Sequence, residues 1–231
     1  MDQTLHSLEG YLKLLEGHGL VIDSKMAEAE KSRLVSYISF NSKDIMKDTL
    51  FLCKGSHFSV DYLKAAVKMG AICYISETEY DLDRERSVSF IIVNDIRRTM
   101  ALIADYYYNQ IWKDLKLIGI TGTKGKSTSA YFMKFILDEY LKDKKKPHCA
   151  IISGIDNYDG VVNEESHLTT PEAMELHKHF SNAVKSGIEY LSMEVSSQAL
   201  KYDRTLGITF DVGCFLNIGE DHISDVEHSS F

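Results

Sequence analysis

The residues with the clearest chemistry form a glycine-rich run at positions 119–128, with the letters Gly-Ile-Thr-Gly-Thr-Lys-Gly-Lys-Ser-Thr. The run follows a short apolar stretch and precedes a stretch with helical spacing. In such a strand–loop–helix arrangement the backbone N–H groups surround phosphates, the lysine reaches the β- and γ-phosphate oxygens, and the serine hydroxyl ligates Mg²⁺. The N-terminal end of the following helix adds its positive dipole. The sequence therefore predicts a site for ATP or GTP with Mg²⁺.

The predicted phosphate site consists of consecutive residues at the loop and the start of the helix: Gly122, Thr123, Lys124, Gly125, Lys126, Ser127 and Thr128. Lys126 is its catalytic cation and Ser127 is a metal ligand. The spacing differs from the usual P-loop, because Ile120 occupies the position of that pattern's first glycine. The alternative is a turn that only joins a strand to a helix. The order of strand, glycines, lysine, serine and helix favours the phosphate site.

A candidate carboxylate lies further along the chain, where Glu194 ends the apolar run Tyr-Leu-Ser-Met at 190–193. The run predicts a strand, and sites in open α/β sheets gather at the carboxyl ends of strands. Mg²⁺ prefers a few oxygen ligands together with phosphate. Glu194 is therefore predicted to be a catalytic residue and a metal ligand. The alternatives are an acid at a helix start and a surface charge.

A polar run, Asn-Ile-Gly-Glu-Asp-His at 217–222, follows the predicted strand 212–216. Any of Glu220, Asp221 and His222 is able to reach a metal or a phosphate from there. A single histidine in a loop is usually structural or solvated. The position after a strand keeps both interpretations open.

The run Thr-Thr-Pro-Glu at 169–172 begins a predicted helix. Thr170 suits the N-cap, Pro171 the first helical position and Glu172 the positive end of the dipole. Hydroxyl and N–H groups at a helix start also hold carboxylates or phosphates. The spacing alone does not choose between a structural and a binding role.

The composition is that of an acidic chain with a substantial core. It has 231 residues, 44% of them hydrophobic, with 26 Lys and Arg against 34 Asp and Glu and a net charge of −8. The shortage of basic blocks argues against a nucleic-acid binder. No apolar run approaches a membrane span or a signal-peptide core, and the four cysteines form no Cys-x-x-Cys pair. The sequence therefore predicts a cytoplasmic protein with reduced thiols and no membrane insertion.

The pattern of elements predicts an α/β fold with two domains. A small α/β domain at 1–95 contains helices at 5–17 and 61–69 and strands at 35–40, 49–53, 71–75 and 89–93. A P-loop domain at 96–231 contains helices at 96–112, 129–141 and 171–186 and strands at 115–120, 150–153, 190–194 and 212–216, with a loop at 154–170. Strands that alternate with helices predict a mainly parallel, doubly wound sheet in this domain. We expect the sheet to be truncated at its C-terminal end.

Taken together and in this order, the four motifs resemble the Mur ligase family, and within it the ligases that add the third residue of the peptidoglycan stem peptide. The family has Thr-Gly-Thr-Asn-Gly-Lys-Thr/Ser, Thr-Thr-Pro-Glu, Met-Glu-Val-Ser-Ser-His-Ala-Leu and Thr-Asn-x-x-x-Asp-His. This chain has Thr-Gly-Thr-Lys-Gly-Lys-Ser at 121–127, Thr-Thr-Pro-Glu at 169–172, Met-Glu-Val-Ser-Ser-Gln-Ala-Leu at 193–200 and Leu-Asn-Ile-Gly-Glu-Asp-His at 216–222. In the N-terminal half, Asn-Ser-Lys at 41–43 resembles the family's Asp-Ser-Arg.

The resemblance implies an ATP-dependent amide ligase with Mg²⁺, a UDP-N-acetylmuramoyl-dipeptide and a free amino acid as partners, and it favours a monomer. It implies that Lys126 contacts the transferred phosphoryl group and that Ser127, Glu194 and His222 hold Mg²⁺. The residues implied to bind the muramoyl-dipeptide are Thr169, Thr170, Ser196 and Arg204. Those implied to hold its UDP end are Ser42, Ser56, His57 and Phe58.

Among the departures from the family pattern, Lys124 and Gln198 replace an Asn and a His, and Lys43 replaces an Arg, which removes a bidentate donor. Family members are also longer, with a C-terminal domain that binds the amino acid and a carbamylated lysine beyond the Asp-His motif. We therefore expect this chain to be an N-terminal fragment that is inactive alone.

Other functions fit parts of the pattern. One is a related ligase that acts on another acid, of the folylpolyglutamate or amino-acid-polymer type. Another is a nucleotide-sugar-binding protein that does not ligate, and a third is a P-loop kinase. The sequence does not identify the added amino acid, for which lysine and meso-diaminopimelate are the usual choices in the family.

Overall fold

The computed structural model describes residues 4–55, 58–82 and 88–220. The chain divides into two compact units, residues 1–109 and 110–231. The domain boundary predicted at 95/96 precedes a helix, Ile96–Tyr107, that lies in the first unit. The assignment of domains stays a proposal.

The first unit is built around a five-stranded sheet. Its elements are α1 (Leu8–Gly17), β1 (Val21–Lys25), α2 (Glu28–Lys31), β2 (Tyr37–Ser39), β3 (Thr49–Leu52), α3 (Val60–Met69), β4 (Ala71–Ser76), β5 (Ser89–Val93) and α4 (Ile96–Tyr107). The strand order is β1-β5-β4-β3-β2, with β1 antiparallel to β5 and the other neighbours parallel. Strands β3, β4 and β5 are buried along their whole length, as expected for the centre of a sheet covered on both faces.

Helix α3 shows how local sequence sets these boundaries. The hydroxyl of Ser59 caps the helix by accepting a hydrogen bond from the backbone of Asp61, and Leu63 and Ala66 form its buried face. Gly70 ends the helix at φ +131°, and a Cβ atom there would lie 2.9 Å from the carbonyl oxygen of Met46. Only glycine suits that backbone angle and that close approach. The sequence therefore specifies both ends of this helix.

The second unit is built around a six-stranded sheet. After a 3₁₀ helix at Ile111–Asp114, its elements are β6 (Lys116–Thr121), α5 (Lys126–Asp143), β7 (Ala150–Ile152), β8 (Asp156–Tyr158), β9 (Asn163–Glu165), α6 (Ala173–Lys185), β10 (Tyr190–Glu194), α7 (Ser197–Lys201) and β11 (Val212–Phe215). The strand order is β11-β6-β10-β7-β8-β9. The first four of these strands are parallel, and β8 and β9 add an antiparallel hairpin.

This topology confirms the predicted mixed α/β fold with a mainly parallel sheet in the P-loop half. The prediction of an unstructured loop at 154–170 is wrong, because β8 and β9 lie within it. These strands are three residues long and largely polar, and β9 is exposed throughout, so neither shows the apolar alternation of a half-buried strand.

Both faces of the second sheet are covered, since alternate residues of each strand point to opposite sides. On one face Leu117 and Leu191 pack with Leu176 and Phe180 of α6. On the other face the cluster includes the buried residues Ile118, Ile120, Ala130 and Ile151, of which Ala130 lies on α5. The helix after the glycine-rich loop and the helix after the Thr-Thr-Pro-Glu run therefore pack on opposite faces of the sheet.

A buried aspartate holds the β8–β9 turn to helix α6. The carboxylate of Asp159 accepts hydrogen bonds from the backbone of Val161 (2.9 Å) and Val162 (2.6 Å). It also lies 2.7 Å from Nδ1 of His179 and accepts one from Nδ2 of Asn182 at 2.8 Å. Burial acts to raise the pKa of Asp159, but the bonds to His179 and the other donors outweigh it and lower the pKa below its ordinary value.

Replacing Asp159 with alanine is expected to lower the free energy of unfolding by about 3 kcal/mol near pH 7, because it leaves His179 buried without its partner. Because folding lowers the pKa of Asp159, its ionised carboxylate stabilises the fold fully at pH values above the ordinary Asp pKa of 3.8. This contribution is lost as the pH falls through the pKa of the folded state. The stability difference between the two proteins should therefore shrink as the pH is lowered from 7 toward 3.

Chemical denaturation at several pH values measures this difference. The matched control is Asp143→Ala, since Asp143 is an exposed residue at the end of α5. Equal stabilities of wild type and Asp159→Ala at pH 7, or a difference that does not change with pH, would contradict the prediction.

The cysteines are free thiols, and Cys53, Cys73 and Cys149 are buried. Burial raises the pKa of Cys149 to about 12 and also raises that of Cys53 and Cys73, so these thiols stay protonated and are weak nucleophiles. Within the ranges that the structure describes, none of the helices combines the length and the apolar character needed to cross a bilayer.

Candidate functional site

The parallel register brings the glycine-rich loop and Glu194 to the same edge of the second sheet. Strands β6 and β10 pair so that Glu194 lies beside Ile120, just before the loop. Strand β11 pairs with β6 from the other side, with Phe215 beside Thr121. The carboxyl ends of the three strands therefore coincide. The predicted phosphate loop, Glu194 and the residues after β11 emerge at one edge, which is where open α/β sheets bind ligands.

The loop adopts a backbone that requires glycine at two positions. Gly122 has φ +144° and Gly125 has φ +88°, and Gly125 is the N-cap of α5 without a side-chain cap. The helix begins at Lys126, three residues before the predicted start, and the backbone of Ser129 donates the first helical hydrogen bond to Gly125. The N–H groups of residues 125–128 have no partner inside the helix and form the kind of positive terminus that binds anions.

Lys126 lies over the loop that precedes it. Its Nζ donates to the carbonyl oxygen of Gly122 at 2.8 Å and to that of Thr123 at 3.3 Å. The ammonium group is thus held half-buried at the loop, whereas the neighbouring Lys124 is exposed. A cation at this position is able to neutralise phosphate charge next to the helix terminus.

The loop is also tied to the segment that follows β11. The backbone of Thr123 donates to the carbonyl oxygen of Asn217 at 3.2 Å, and its hydroxyl accepts from the backbone of Gly219 at 2.9 Å. The side-chain amide of Asn217 forms hydrogen bonds with the backbone N–H and carbonyl groups of Lys124. No role was predicted for Asn217 or Gly219, because these bonds join positions more than 90 residues apart.

Glu194 is a buried carboxylate at the end of β10, with 1% of its surface exposed. Its Oε1 accepts a hydrogen bond from the backbone of Gly154 at 2.9 Å. Thr169 lies beside the same glycine, since a Cβ atom on Gly154 would approach the Thr169 hydroxyl to 3.2 Å. A charge buried this deeply needs compensation, and a metal ion bound at the phosphates would provide it.

The donor set fits Mg²⁺ as far as it is described, because the hydroxyl of Ser127 and the carboxylate of Glu194 are hard oxygen ligands. The third predicted ligand, His222, lies outside the described residues. In the described part of the chain no group of three or more His, Cys, Asp and Glu side chains forms a metal site.

Thr170, Ser196 and Arg204 form a connected cluster beside Glu194. The hydroxyl of Thr170, which is fully buried, donates to the Glu194 carbonyl oxygen at 2.9 Å and accepts from the Ser196 backbone at 3.1 Å. The guanidinium of Arg204 donates to the Thr170 carbonyl oxygen and to Oε1 of Glu172, both at 2.9 Å. These bonds fix the Thr-Thr-Pro-Glu run against the end of β10.

The predicted capping role of Thr170 is wrong. Helix α6 begins at Ala173, and its N-cap is Glu172, which makes no side-chain capping bond. The side chains of both residues are engaged elsewhere, Thr170 with strand β10 and Glu172 with Arg204. The Ser196 hydroxyl does cap a helix, since it accepts from the backbone of Ala199 in α7.

The remaining predicted residues belong to the first unit. Ser42 is half-buried in the turn between β2 and β3. Phe58 is half-buried against the core, with its ring centroid 5.4 Å from that of Tyr80. Ser56 and His57 lie outside the described residues. The binding roles of all four stay predictions.

Comparisons with known proteins agree with this geometry. Residues 120–230 match the Mur ligase middle domain. The chain is 42% identical over 217 residues to the UDP-N-acetylmuramoyl-L-alanyl-D-glutamate–L-lysine ligase of Enterococcus faecalis, covering 94% of this chain and 41% of that protein. It is 39% identical over 228 residues to the UDP-N-acetylmuramyl-tripeptide synthetase of Lactobacillus acidophilus, covering 97% and 42%.

The fold matches a solved UDP-N-acetylmuramoyl-L-alanyl-D-glutamate–2,6-diaminopimelate ligase with a TM-score of 0.67 at 21% identity, over 96% of this chain and 42% of that one. The chain therefore spans about 40% of the length of the curated relatives it matches.

Proposed function

We propose a function for this chain from one premise: it belongs to the Mur ligase family. The protein is an ATP-dependent amide ligase that adds the third amino acid to UDP-N-acetylmuramoyl-L-Ala-D-Glu in peptidoglycan synthesis. The observation that carries the proposal is the meeting of three groups at one sheet edge. These are the phosphate loop with Lys126, the buried carboxylate of Glu194, and the cluster that ties Thr170 and Arg204 to it.

In the proposed reaction the side-chain carboxylate of the D-glutamyl residue attacks the γ-phosphorus of ATP, and the bond to ADP breaks. The resulting acyl phosphate is attacked by the amine of the incoming amino acid, which forms the amide and releases phosphate. An anionic carboxylate and a triphosphate repel each other, so the site must supply positive charge and orientation.

The residues of this chain supply much of that charge. The N–H groups at 125–128 face the anion, and Lys126 moves from the loop carbonyls to the β- and γ-phosphate oxygens. Ser127 and Glu194 would hold Mg²⁺ with His222, and the ion when bound neutralises phosphate oxygens as a Lewis acid. The burial of Glu194 and its bond to the backbone of Gly154 restrict the movement of its carboxylate.

The muramoyl-dipeptide is proposed to bind at Thr169, Thr170, Ser196 and Arg204. The hydroxyl of Thr170 donates to the hydroxyl of Ser196 and accepts from its backbone N–H. Arg204 is buried, and its Nε has no partner in the described structure. An unpaired buried N–H favours an additional acceptor, which a substrate carboxylate or carbonyl provides. The UDP end is proposed to bind at Ser42, Ser56, His57 and Phe58.

In this proposal ATP and Mg²⁺ are the cofactors, and the protein acts in the cytoplasm as a monomer, without nucleic acid or insertion into a membrane. L-Lysine is the first amino acid to test, because the relative from E. faecalis is named for it. Diaminopimelate is the second, because it appears in the name of the structural neighbour.

The test is phosphate release by the intact protein that carries this chain, with ATP, Mg²⁺, UDP-N-acetylmuramoyl-L-Ala-D-Glu and a panel of amino acids. We expect release that requires both the nucleotide sugar and one amino acid. Release with another carboxylate substrate would indicate a related ligase, and phosphate transfer to a stable product would indicate a kinase. Tight nucleotide-sugar binding without turnover would favour a protein that only binds.

A further inference from the structure

Asn217 makes a paired contact with the backbone of the phosphate loop. Its Oδ1 accepts a hydrogen bond from the N–H of Lys124 at 3.0 Å, and its Nδ2 donates to the carbonyl oxygen of the same residue at 2.9 Å. The carbonyl oxygen of Asn217 accepts a third bond, from the N–H of Thr123 at 3.2 Å. The carboxamide thus satisfies both backbone groups of one loop residue, as a neighbouring β-strand would.

The pairing determines which loop groups remain for phosphate. The N–H groups of Thr123 and Lys124 donate to Asn217, so these two donors are already paired within the protein. The N–H groups of residues 125–128 are the ones without partners inside the helix. Asn217 therefore holds the backbone of residues 123–124 and leaves the N–H groups of residues 125–128 for an anion.

The backbone of the loop also packs directly on the Asn217 segment. A Cβ atom on Gly122 would lie 3.1 Å from the backbone nitrogen and oxygen of Asn217 and 3.1 Å from Cβ of Leu216. The hydroxyl of Thr123 adds a contact with the backbone of Gly219. The conformation of the loop is thus set by the segment that follows β11 as well as by its own glycines.

We propose that Asn217 is a positioning residue that holds the phosphate loop in its nucleotide-binding conformation. In this role Asn217 acts through the backbone of Lys124, to which its carboxamide is hydrogen-bonded. Asn217 also precedes the predicted metal ligand His222 by five residues, so the same contact ties the loop to the segment that carries this histidine. This inference rests on the proposed function, because it assumes that the loop binds ATP.

The test compares ATP binding by the intact protein that carries this chain and by its Asn217 variants in the presence of Mg²⁺, by calorimetry. Asn217→Ala removes both side-chain bonds and is expected to weaken ATP binding about tenfold, the effect of losing one or two net hydrogen bonds. Asn217→Asp keeps the acceptor for the Lys124 N–H and removes the donor. The matched control is Ile218→Ala, which truncates a neighbouring side chain that is 72% exposed and should bind ATP as the wild type does.

Amide hydrogen exchange provides a second readout that general destabilisation would not produce. In the ligand-free chain, exchange at the Lys124 amide should be faster in Asn217→Ala than in wild type, and closer to wild type in Asn217→Asp, which keeps the acceptor. Amides in the buried strand β10 should exchange alike in all the proteins. If the alanine variant does not fold, the aspartate variant carries the affinity comparison and Ile218→Ala remains its control.

The outcomes separate the two claims. If the unsubstituted intact protein does not bind ATP, the proposed function is wrong and the inference fails with it. If it binds ATP and the Asn217 variants bind it equally well, with unchanged exchange at Lys124, the inference alone is overturned. Weaker binding with faster exchange confined to the loop supports both.

Discussion

Replacing Lys126 with alanine is expected to abolish phosphate release by the intact protein, with a fall in turnover of at least about 10³-fold. The ammonium group lies at the loop, bonded to the carbonyl oxygens of Gly122 and Thr123, and it is the half-buried cation beside the free N–H groups of α5. Alanine leaves the negative charge that develops on the transferred phosphoryl group without this partner. Steady-state phosphate release at saturating substrates measures the effect.

The control for this substitution is Lys142→Ala in the last turn of the same helix, where the side chain is 69% exposed. It removes the same charge from the chain without touching the loop, so its turnover should match wild type. The melting temperature of Lys126→Ala must stay near that of wild type, because the lost hydrogen bonds are worth only about 1 kcal/mol. Near-normal turnover in a folded Lys126→Ala protein would remove this lysine from the mechanism.

Replacing Glu194 with glutamine is expected to lower turnover on the order of 10²-fold and to raise the Mg²⁺ concentration needed for half-maximal rate. Glutamine has nearly the same shape and keeps an oxygen that accepts from the backbone of Gly154, so the fold is preserved. It removes the negative charge that the proposed metal site requires. A titration of phosphate release with Mg²⁺ at saturating ATP checks both effects.

Glu175→Gln provides the matched comparison, because Glu175 is an exposed glutamate of α6 on the same sheet. Its rate and its Mg²⁺ dependence should equal those of wild type. An unchanged Mg²⁺ titration for Glu194→Gln would mean that the buried carboxylate has a structural role, in which it only anchors the backbone of Gly154.

Elements with strong local signals were predicted closely. Strands Ser89–Val93 and Tyr190–Glu194 have the predicted bounds, because continuous apolar runs between polar turns define them. Helix α4 ends at Tyr107 rather than at 112, because Asn109 and Gln110 adopt left-handed conformations with φ +52° and +54°. Nothing in the apolar spacing marks that break.

Strands that depend on pairing with neighbouring strands were missed. Strand β1 is mostly exposed and polar, and it forms by antiparallel pairing with β5, about 70 residues further along the chain. The hairpin β8–β9 is likewise short and polar. Such strands are stabilised by pairing rather than by their own composition, so a single sequence shows little of them.

The candidate site likewise has residues with local sequence signals and residues that depend on distant segments. The chemistry proposed for Lys126, Ser127 and Glu194 rests on residue type and on position after a strand, which are local properties. Asn217 and Thr170 contact the backbone of another segment, and the sequence contains no residue pattern that identifies that segment. The geometry was needed to show that Thr170 bonds strand β10 instead of capping a helix.

The close approach of Gly122 to residues 216–217 has a consequence for anyone who builds chimeras from this family. The two segments lie more than 90 residues apart, so a crossover point between them joins a loop from one parent to a docking segment from another. A Cβ atom on Gly122 would lie only 3.1 Å from the backbone of Asn217, so the two segments leave little room for a larger residue or an altered turn. Recombination libraries should therefore inherit 119–128 and 212–219 from one parent as a single block.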